Sequence, residues 1–224
     1  MADYEEMTAS KKLAAFIEKN KKAFIAILIV LVCCLIGYIV FASIAKSNKA
    51  KNLQTLDEIS YEFTSKSNDL EDAEIDARIA AALEKAAPLT KKSGVVGARA
   101  NMFCAELAFT QEKYDDAANY WKAAADKAKK TYLAPIACFN LAVCYENLGN
   151  SDAAYENYKL AADNHDFVMR THAMFSYGRI LEAKADYANA AAAYKELNDN
   201  FPSDSWAKLA KSRLISLKNE GKIE

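Results

Sequence analysis

Residues 141–162 read LAVCYENLGNSDAAYENYKLAA. Leu141, Ala142 and Tyr145 gather on one side of a helix before Leu148-Gly149-Asn150 interrupts it. Beyond the break, Ala154, Tyr158 and Ala161 form a second apolar stripe at the same three-to-four spacing. An isolated core would take leucine where this one takes alanine. Two such helices around one glycine imply that each lies close against a neighbour, and the pattern then has to recur.

It recurs on both sides. Downstream run Tyr177-Gly178, Leu181, Ala185, Tyr187, Ala190, Tyr194 and Leu197, closed by Pro202; upstream run Cys104-Ala105, Ala108, Glu112, Tyr114, Ala117, Trp121 and Ala124. Tyr114, Ser151 and Tyr187 hold equivalent positions, so the period is 37 and then 36 residues. A fixed period in this range marks a stacked array of helix pairs. Ala105, Ala142 and Gly178 let the first helix of each pair approach its partner, and Ala117, Ala154 and Ala190 do the same from the second. Trp121, Tyr158 and Tyr194 fill the gap between successive pairs. Over about residues 97–203 this resembles the tetratricopeptide repeat. The period exceeds that family's ~34 residues, which puts the extra residues in the turns between repeats.

Residues 1–51 carry eight Lys and four acidic residues, and residues 52–224 carry 21 Lys+Arg and 26 Asp+Glu. An acidic body argues against nucleic acid, whose phosphates need clustered cations. The basic head has another explanation in AFIAILIVLVCCLIGYIVFASIA, residues 23–45, which holds no charge. At 1.5 Å per residue it reaches roughly 34 Å, enough for a bilayer core. A signal-peptide apolar region is usually ~7–15 residues, so an uncleaved anchor is expected. Five Lys fall in residues 3–22 against three in 46–65, which favours a cytoplasmic N-terminus. Residues 10–20 read as an amphipathic lead-in resting Leu13, Phe16 and Ile17 on the leaflet, or as a helical extension of the span.

The expected fold class is all-α: a single N-terminal transmembrane helix followed by a tetratricopeptide-repeat solenoid. Residues 1–22 are a short basic cytoplasmic tail, and 23–45 the span. Residues 46–96 form a connecting helix and a degenerate first helix pair, with a turn over 65–69 in which Asp69 caps the next helix and with Pro88 expected to end it. Residues 97–203 are three repeats. Residues 204–224 are a capping helix in which Trp206, Leu209, Ala210, Leu214 and Ile215 pack.

Chemistry is sparse. The two histidines, His165 and His172, read as solvated residues of a loop and a helix start. No HExxH, Gly-rich phosphate loop or GxSxG is present. Cys33 and Cys34 sit in the span; Cys104, Cys138 and Cys144 fall on helix positions that the repeat buries. Asp115-Asp116 read as solvated helix-start carboxylates. No enzyme, cofactor or metal is expected. The array is expected to bind protein.

In tetratricopeptide repeats the concave face is lined by certain positions of each first helix. Carried over by register, these are Met102, Phe139 and Phe175, with Arg99, Glu106, Phe109, Val143, Glu146, Arg179 and Glu182 around them. One residue of phase error would instead make Phe139 and Phe175 core. The repeats that clamp a C-terminal carboxylate use Lys and Asn there, so this register suits an extended or amphipathic apolar segment.

FIEKNKKAFIAILIVLVCCLIGY, residues 16–38, resembles the N-terminal block of the bacterial ancillary SecYEG translocon subunit family (YfgM-like), notably Phe16, Glu18-Asn20, Lys22 and Leu35-Ile36-Gly37-Tyr38. The resemblance implies a single-pass protein of the bacterial inner membrane with periplasmic repeats. Its partners would be translocon subunits, a membrane-anchored periplasmic chaperone or unfolded secreted chains. YANAAAAYKELNDNFPSDSWAKLAKSRL, residues 187–214, also resembles periplasmic repeats that coordinate cell-envelope or outer-membrane protein assembly. A receptor module binding a secreted peptide is the third reading, disfavoured because 22 inner residues leave no room for an output domain.

Overall fold

The computed structural model describes residues 9–65 and 72–224, and every regular element among them is helical. It divides into two units, residues 1–51 and 52–224. The expected turn over 65–69, with its Asp69 cap, falls almost wholly outside the described residues.

In the first unit, α1 (Ala9–Lys19) is followed by the start of α2 (Lys21–Thr64). Asn20 separates them only nominally. Its backbone N–H donates to the Phe16 carbonyl at 3.1 Å, and Phe24 N–H donates to the Asn20 carbonyl at 3.0 Å. The i→i−4 ladder therefore continues through the junction, as the helical-extension reading requires. The apolar stretch of α2 is long enough to cross a membrane, and none of it is buried. By length and composition it is a candidate membrane span.

The second unit stacks the end of α2, α3 (Asp72–Thr90), α4 (Gly94–Thr110), α5 (Tyr114–Lys127), α6 (Leu133–Asn147), α7 (Ser151–Ala162), α8 (Arg170–Ala183), α9 (Tyr187–Asn200) and α10 (Ser205–Asn219). Leu56 and Ile59 of α2 join Ile79 and Ala82 of α3 and Val96 and Leu107 of α4 in one buried cluster. Pro88 does not stop α3, which carries it inside its last turn and ends at Thr90. Asn101, buried in α4, donates from Nδ2 to the Thr90 carbonyl at 2.9 Å and to Gly97 at 2.7 Å, so the exposed carbonyl at the end of α3 is satisfied by a side chain.

The pairs α4–α5, α6–α7 and α8–α9 are the three repeats. Turns within a pair are short (111–113, 148–150, 184–186), and connections between pairs are longer (128–132, 163–169). Each short turn uses a left-handed residue two positions before the second helix: Glu112, Gly149 and Ala185, at φ of 58°, 71° and 61°. Only one of the three is glycine. Asn150 and Asp186 then cap α7 and α9 by accepting backbone N–H bonds from Ala153 and Asn189.

Trp121, Tyr158 and Tyr194 are almost fully buried. Tyr158 and Tyr194 close their own pairs as well as touching the next. Tyr158 lies edge-on to Phe139 at 5.2 Å, and Tyr194 stacks on Phe175 at 5.6 Å. The small residues Ala105, Ala142, Ala117, Ala154 and Ala190 are wholly buried between helices. The C-terminal helix departs from expectation. Ala207, Ala210 and Leu217 are buried, but Leu209 and Ile215 are 43% and 55% exposed. Among the described residues α10 has neighbours on one side, α8 and α9, so it has one covered face and one open.

Candidate functional site

The first helices α4, α6 and α8 carry the expected binding face, and the structure sorts its residues into three groups. Arg99, Met102 and Glu106 of α4 border a hollow of about 190 Å³ together with Leu56, Asp57 and Ser60 of α2. Arg99 Nη2 lies 2.8 Å from Asp57 Oδ1, so the end of α2 neutralises it. The carboxyl of Glu106 is raised above its ordinary value by desolvation.

Phe109 and Val143 are half-buried, and Phe109 lies edge-on to Tyr114 at 5.2 Å. Glu146, Arg179 and Glu182 belong to an ordered ladder of charge. Glu146 accepts from Arg179 Nη2 and from the Tyr158 hydroxyl, both at 2.6 Å. Glu182 repeats this one pair later, accepting from Tyr194 Oη at 3.0 Å and from Arg213 of α10, whose Nε lies 3.2 Å away. Each carboxylate thereby joins its own pair to the next first helix. Arg213 holds the Glu182 carboxyl below the usual range, and burial followed by the bond to Glu182 raises the Tyr194 phenol.

Phe139 and Phe175 are not on an open face. They are 6% and 7% exposed, inside the chain's own core. Phe139 is enclosed by Tyr158, by Phe167 at 6.0 Å and by His172 at 4.9 Å. Phe175 lies between Tyr194 and Trp206, the latter at 5.4 Å. The phase alternative that makes them core is the one the geometry shows, because rings from the next pair lie over both. His172 is likewise no solvated histidine. It stacks on Trp206 with centroids 3.8 Å apart and planes 7° from parallel, and burial lowers its pKa from 6.5, with Arg179 adding to the effect.

Sequence reasoning missed Asp57 and the two tyrosine hydroxyls, gave Trp206 only as a packing residue of the cap, and read Arg213 as solvated, whereas it pairs with Glu182. Arg213 was the accessible one, since it lies 34 residues after Arg179 and each follows a glutamate on the previous first helix. The exposed part of the face is thus polar and internally paired, with a second hollow of about 380 Å³ bordered by Arg179, Tyr187, Arg213 and Lys222. On the side of the second helices, α7, α8 and α9 border a larger hollow of about 630 Å³ with Tyr155 edge-on to Tyr177. Cys104 and Cys144 are buried and Cys138 half-buried, and all three are free thiols. Burial pushes Cys104 and Cys144 up to about 11, so both stay protonated at neutral pH. Among the described residues no group of His, Cys, Asp or Glu is placed to hold a metal ion.

Stacked helix pairs with an ordered polar face define a helical-repeat module for protein–protein interaction, a fold that is in general a non-catalytic scaffold. The chain belongs to the tetratricopeptide repeat-like domain family, whose model matches residues 14–220. It is 34% identical over 137 residues to a TPR repeat-containing protein of Treponema pallidum (strain Nichols), a match covering 61% of this chain and 57% of that protein's length. The chain's backbone resembles the crystal structure of the apo form of RapI, with a TM-score of 0.50 at 15% identity, over 76% of this chain and 60% of that one; the likeness is one of fold alone. A Podosopora anserina kinesin-light-chain structure with nearly identical TPR-like repeats gives 0.45 at 9% identity, over 70% of this chain and 91% of that one.

Proposed function

We propose that this is a membrane-anchored adaptor whose repeats receive protein partners at the Sec translocon, assisting secreted chains or their handover to a periplasmic chaperone. The observation that carries the reading is the extent of the family match. It begins at residue 14 and runs through the apolar stretch into the repeats, which supports reading anchor and array as one unit. The basic flank before residue 23 and the similarity of residues 16–38 to the YfgM-like block support a single-pass inner-membrane protein with the N-terminus in the cytoplasm. The binding face is the exposed remainder of the expected set, from Arg99 and Glu106 to Arg179 and Glu182. Partners there meet paired charges and two shallow hollows, with Phe139 and Phe175 behind as support.

Photo-crosslinking in native membranes tests this. A photo-reactive residue at Gly37 is sterically free, since an added Cβ there meets nothing within 4 Å. A second goes at Glu106. Adducts with translocon subunits at Gly37, and with a chaperone or secreted chain at Glu106, are the expected result. Adducts confined to envelope-assembly proteins would replace the translocon reading with the scaffold one.

A further inference from the structure

The chain enters its second unit, at Asn52, at one end of the helix stack, and lysines from separate connections gather at that end. The part of α2 in this unit runs parallel to α4. Arg99, near the start of α4, pairs with Asp57, and Phe103, one turn further on, lies edge-on to Phe63 at 6.3 Å. α3 runs back against α4, since Gln111 beyond the end of α4 donates to Asp76 near the start of α3 at 2.8 Å. α5 also runs back, so the connections 91–93 and 128–132 both lie where Asn52 enters. Lys127 Nζ, at the close of α5, donates to the Lys92 carbonyl at 3.1 Å and ties the two connections together. Leu133, the first residue of α6, borders the same hollow as Leu56.

Charge along this edge is sorted. Residues 90–93 and 126–132 hold Lys91, Lys92, Lys127, Lys129 and Lys130 against Asp126 alone, a net +4 in a unit whose net charge is −5. Asp126 pairs with Lys129 at 3.1 Å. Lys91, Lys92 and Lys130 are exposed and have no ion-pair partner among the described residues, and Tyr132 beside them is 72% exposed. The later connections of the same edge, 163–169 and 201–204, hold Asp163, Asp166 and Asp204 and neither Lys nor Arg. Helix dipoles favour cations at C-termini. They do not require this cluster, because α9 ends at the same edge with no basic residue in its last turn.

We propose that this end of the repeat unit rests on the bilayer, where Lys91, Lys92, Lys129 and Lys130 bind the phosphates of anionic lipid headgroups and Tyr132 enters the interface beside them. The inference rests on the reading of residues 23–45 as a membrane span. Only seven residues then lead from Ala45 to Asn52, at most about 25 Å when fully extended, whatever angle the two units adopt. A lipid surface is therefore the partner that the covalent chain itself holds within reach of the patch. Lysines close to an anionic surface are attracted to it over roughly a Debye length, and a tyrosine with an apolar ring and a polar tip suits the headgroup level. The aspartates of the later connections are repelled by the same surface, which confines the contact to the first two connections.

The full chain is reconstituted in nanodiscs of zwitterionic lipid, or of the same lipid with phosphatidylglycerol added, and pulsed with a water-soluble acylating reagent. Mass spectrometry then reads the rate at each lysine. Lys91, Lys92, Lys129 and Lys130 should react roughly threefold more slowly in the anionic discs, and high salt should erase the difference. Lys113 and Lys184, in turns at the opposite end of the pairs, should react alike in both. Lys91→Glu combined with Lys129→Glu, both at exposed positions, brings the patch to net zero. It should restore the rates at Lys92 and Lys130 without moving the thermal melt. Retention of the chain in the discs through an alkaline wash reports the anchor separately. Equal patch rates in both lipids, with the chain embedded, overturn this inference and leave the anchor reading standing; a chain that does not embed overturns both. Protection seen in native membranes but in neither kind of disc would make the occupant a protein and would also overturn it.

Discussion

The ring of Tyr194 occupies the space that a β-carbon on Gly178 would need, with Cε1 2.7 Å from that position. The Tyr194 hydroxyl is meanwhile tied to Glu182 at 3.0 Å, so the ring cannot slide away without breaking that bond. Gly178→Ala should therefore destabilise the chain despite the better helix propensity of alanine, by about 1–3 kcal/mol as an overpacked core. Urea denaturation of the two forms in the same detergent checks the sign. An unchanged midpoint would mean that the pair opens more easily than this contact allows.

Phe139 distinguishes core from binding surface. As a buried ring among Tyr158, Phe167 and His172, its replacement by alanine should cost about 3–5 kcal/mol. Arg99→Ala, at an exposed ion pair, should leave the melting temperature nearly unchanged. A Phe139→Ala chain that melts like wild type while losing its partners would return that ring to the binding face.

Three left-handed turn residues predict opposite effects for opposite substitutions. Ala185 at φ 61° bears a steric cost that glycine would not, so Ala185→Gly should stabilise by up to about 1 kcal/mol. Gly149→Ala, at φ 71°, should destabilise by a similar amount. Thermal melts of both variants, read side by side, test the pair.

His172 gives a pH dependence with a definite sign. Burial disfavours its charged form, so its folded pKa lies below the unfolded 6.5 and the unfolded chain binds the extra proton first. Stability is thus complete above pH 6.5 and falls as pH drops through that value toward the lowered folded pKa. Glu182, also lowered, adds a further loss only when pH falls below its unfolded value of 4.5. Unfolding midpoints from pH 7.5 to 5.5 should decline in the wild type and flatten in His172→Phe, which keeps a ring against Trp206. A wild-type midpoint that rises on acidification would show that the Glu146 carboxylate outweighs burial at His172.

The repeat itself was legible because its requirement is local. Where two helices cross closely, a side chain larger than alanine does not fit, so Ala105, Ala142 and Gly178 recur at fixed distance from Trp121, Tyr158 and Tyr194 whatever surrounds them. The apolar length of residues 23–45 is equally local, as no packing partner is needed to make 23 uncharged residues lipophilic. The capping helix was legible only by half. Its apolar residues name two faces, and nothing in the segment says that only one has a neighbour.

What the tertiary structure decided is phase and enclosure. One residue turns a helix by about 100°, so the choice between groove and core for Phe139 and Phe175 rests on a margin that the repeat period does not resolve. It was settled by rings 33 and 31 residues further on, His172 and Trp206, which only the stacking angle of successive pairs brings overhead. The same stacking turns Glu146 and Glu182 from free acceptors into paired ones, because Arg179 and Arg213 arrive from the next first helix. By itself the sequence determined what each helix is made to touch. Which of those contacts lie inside the chain and which remain open, as at Leu209 and Ile215, depended on how many neighbours the fold supplies.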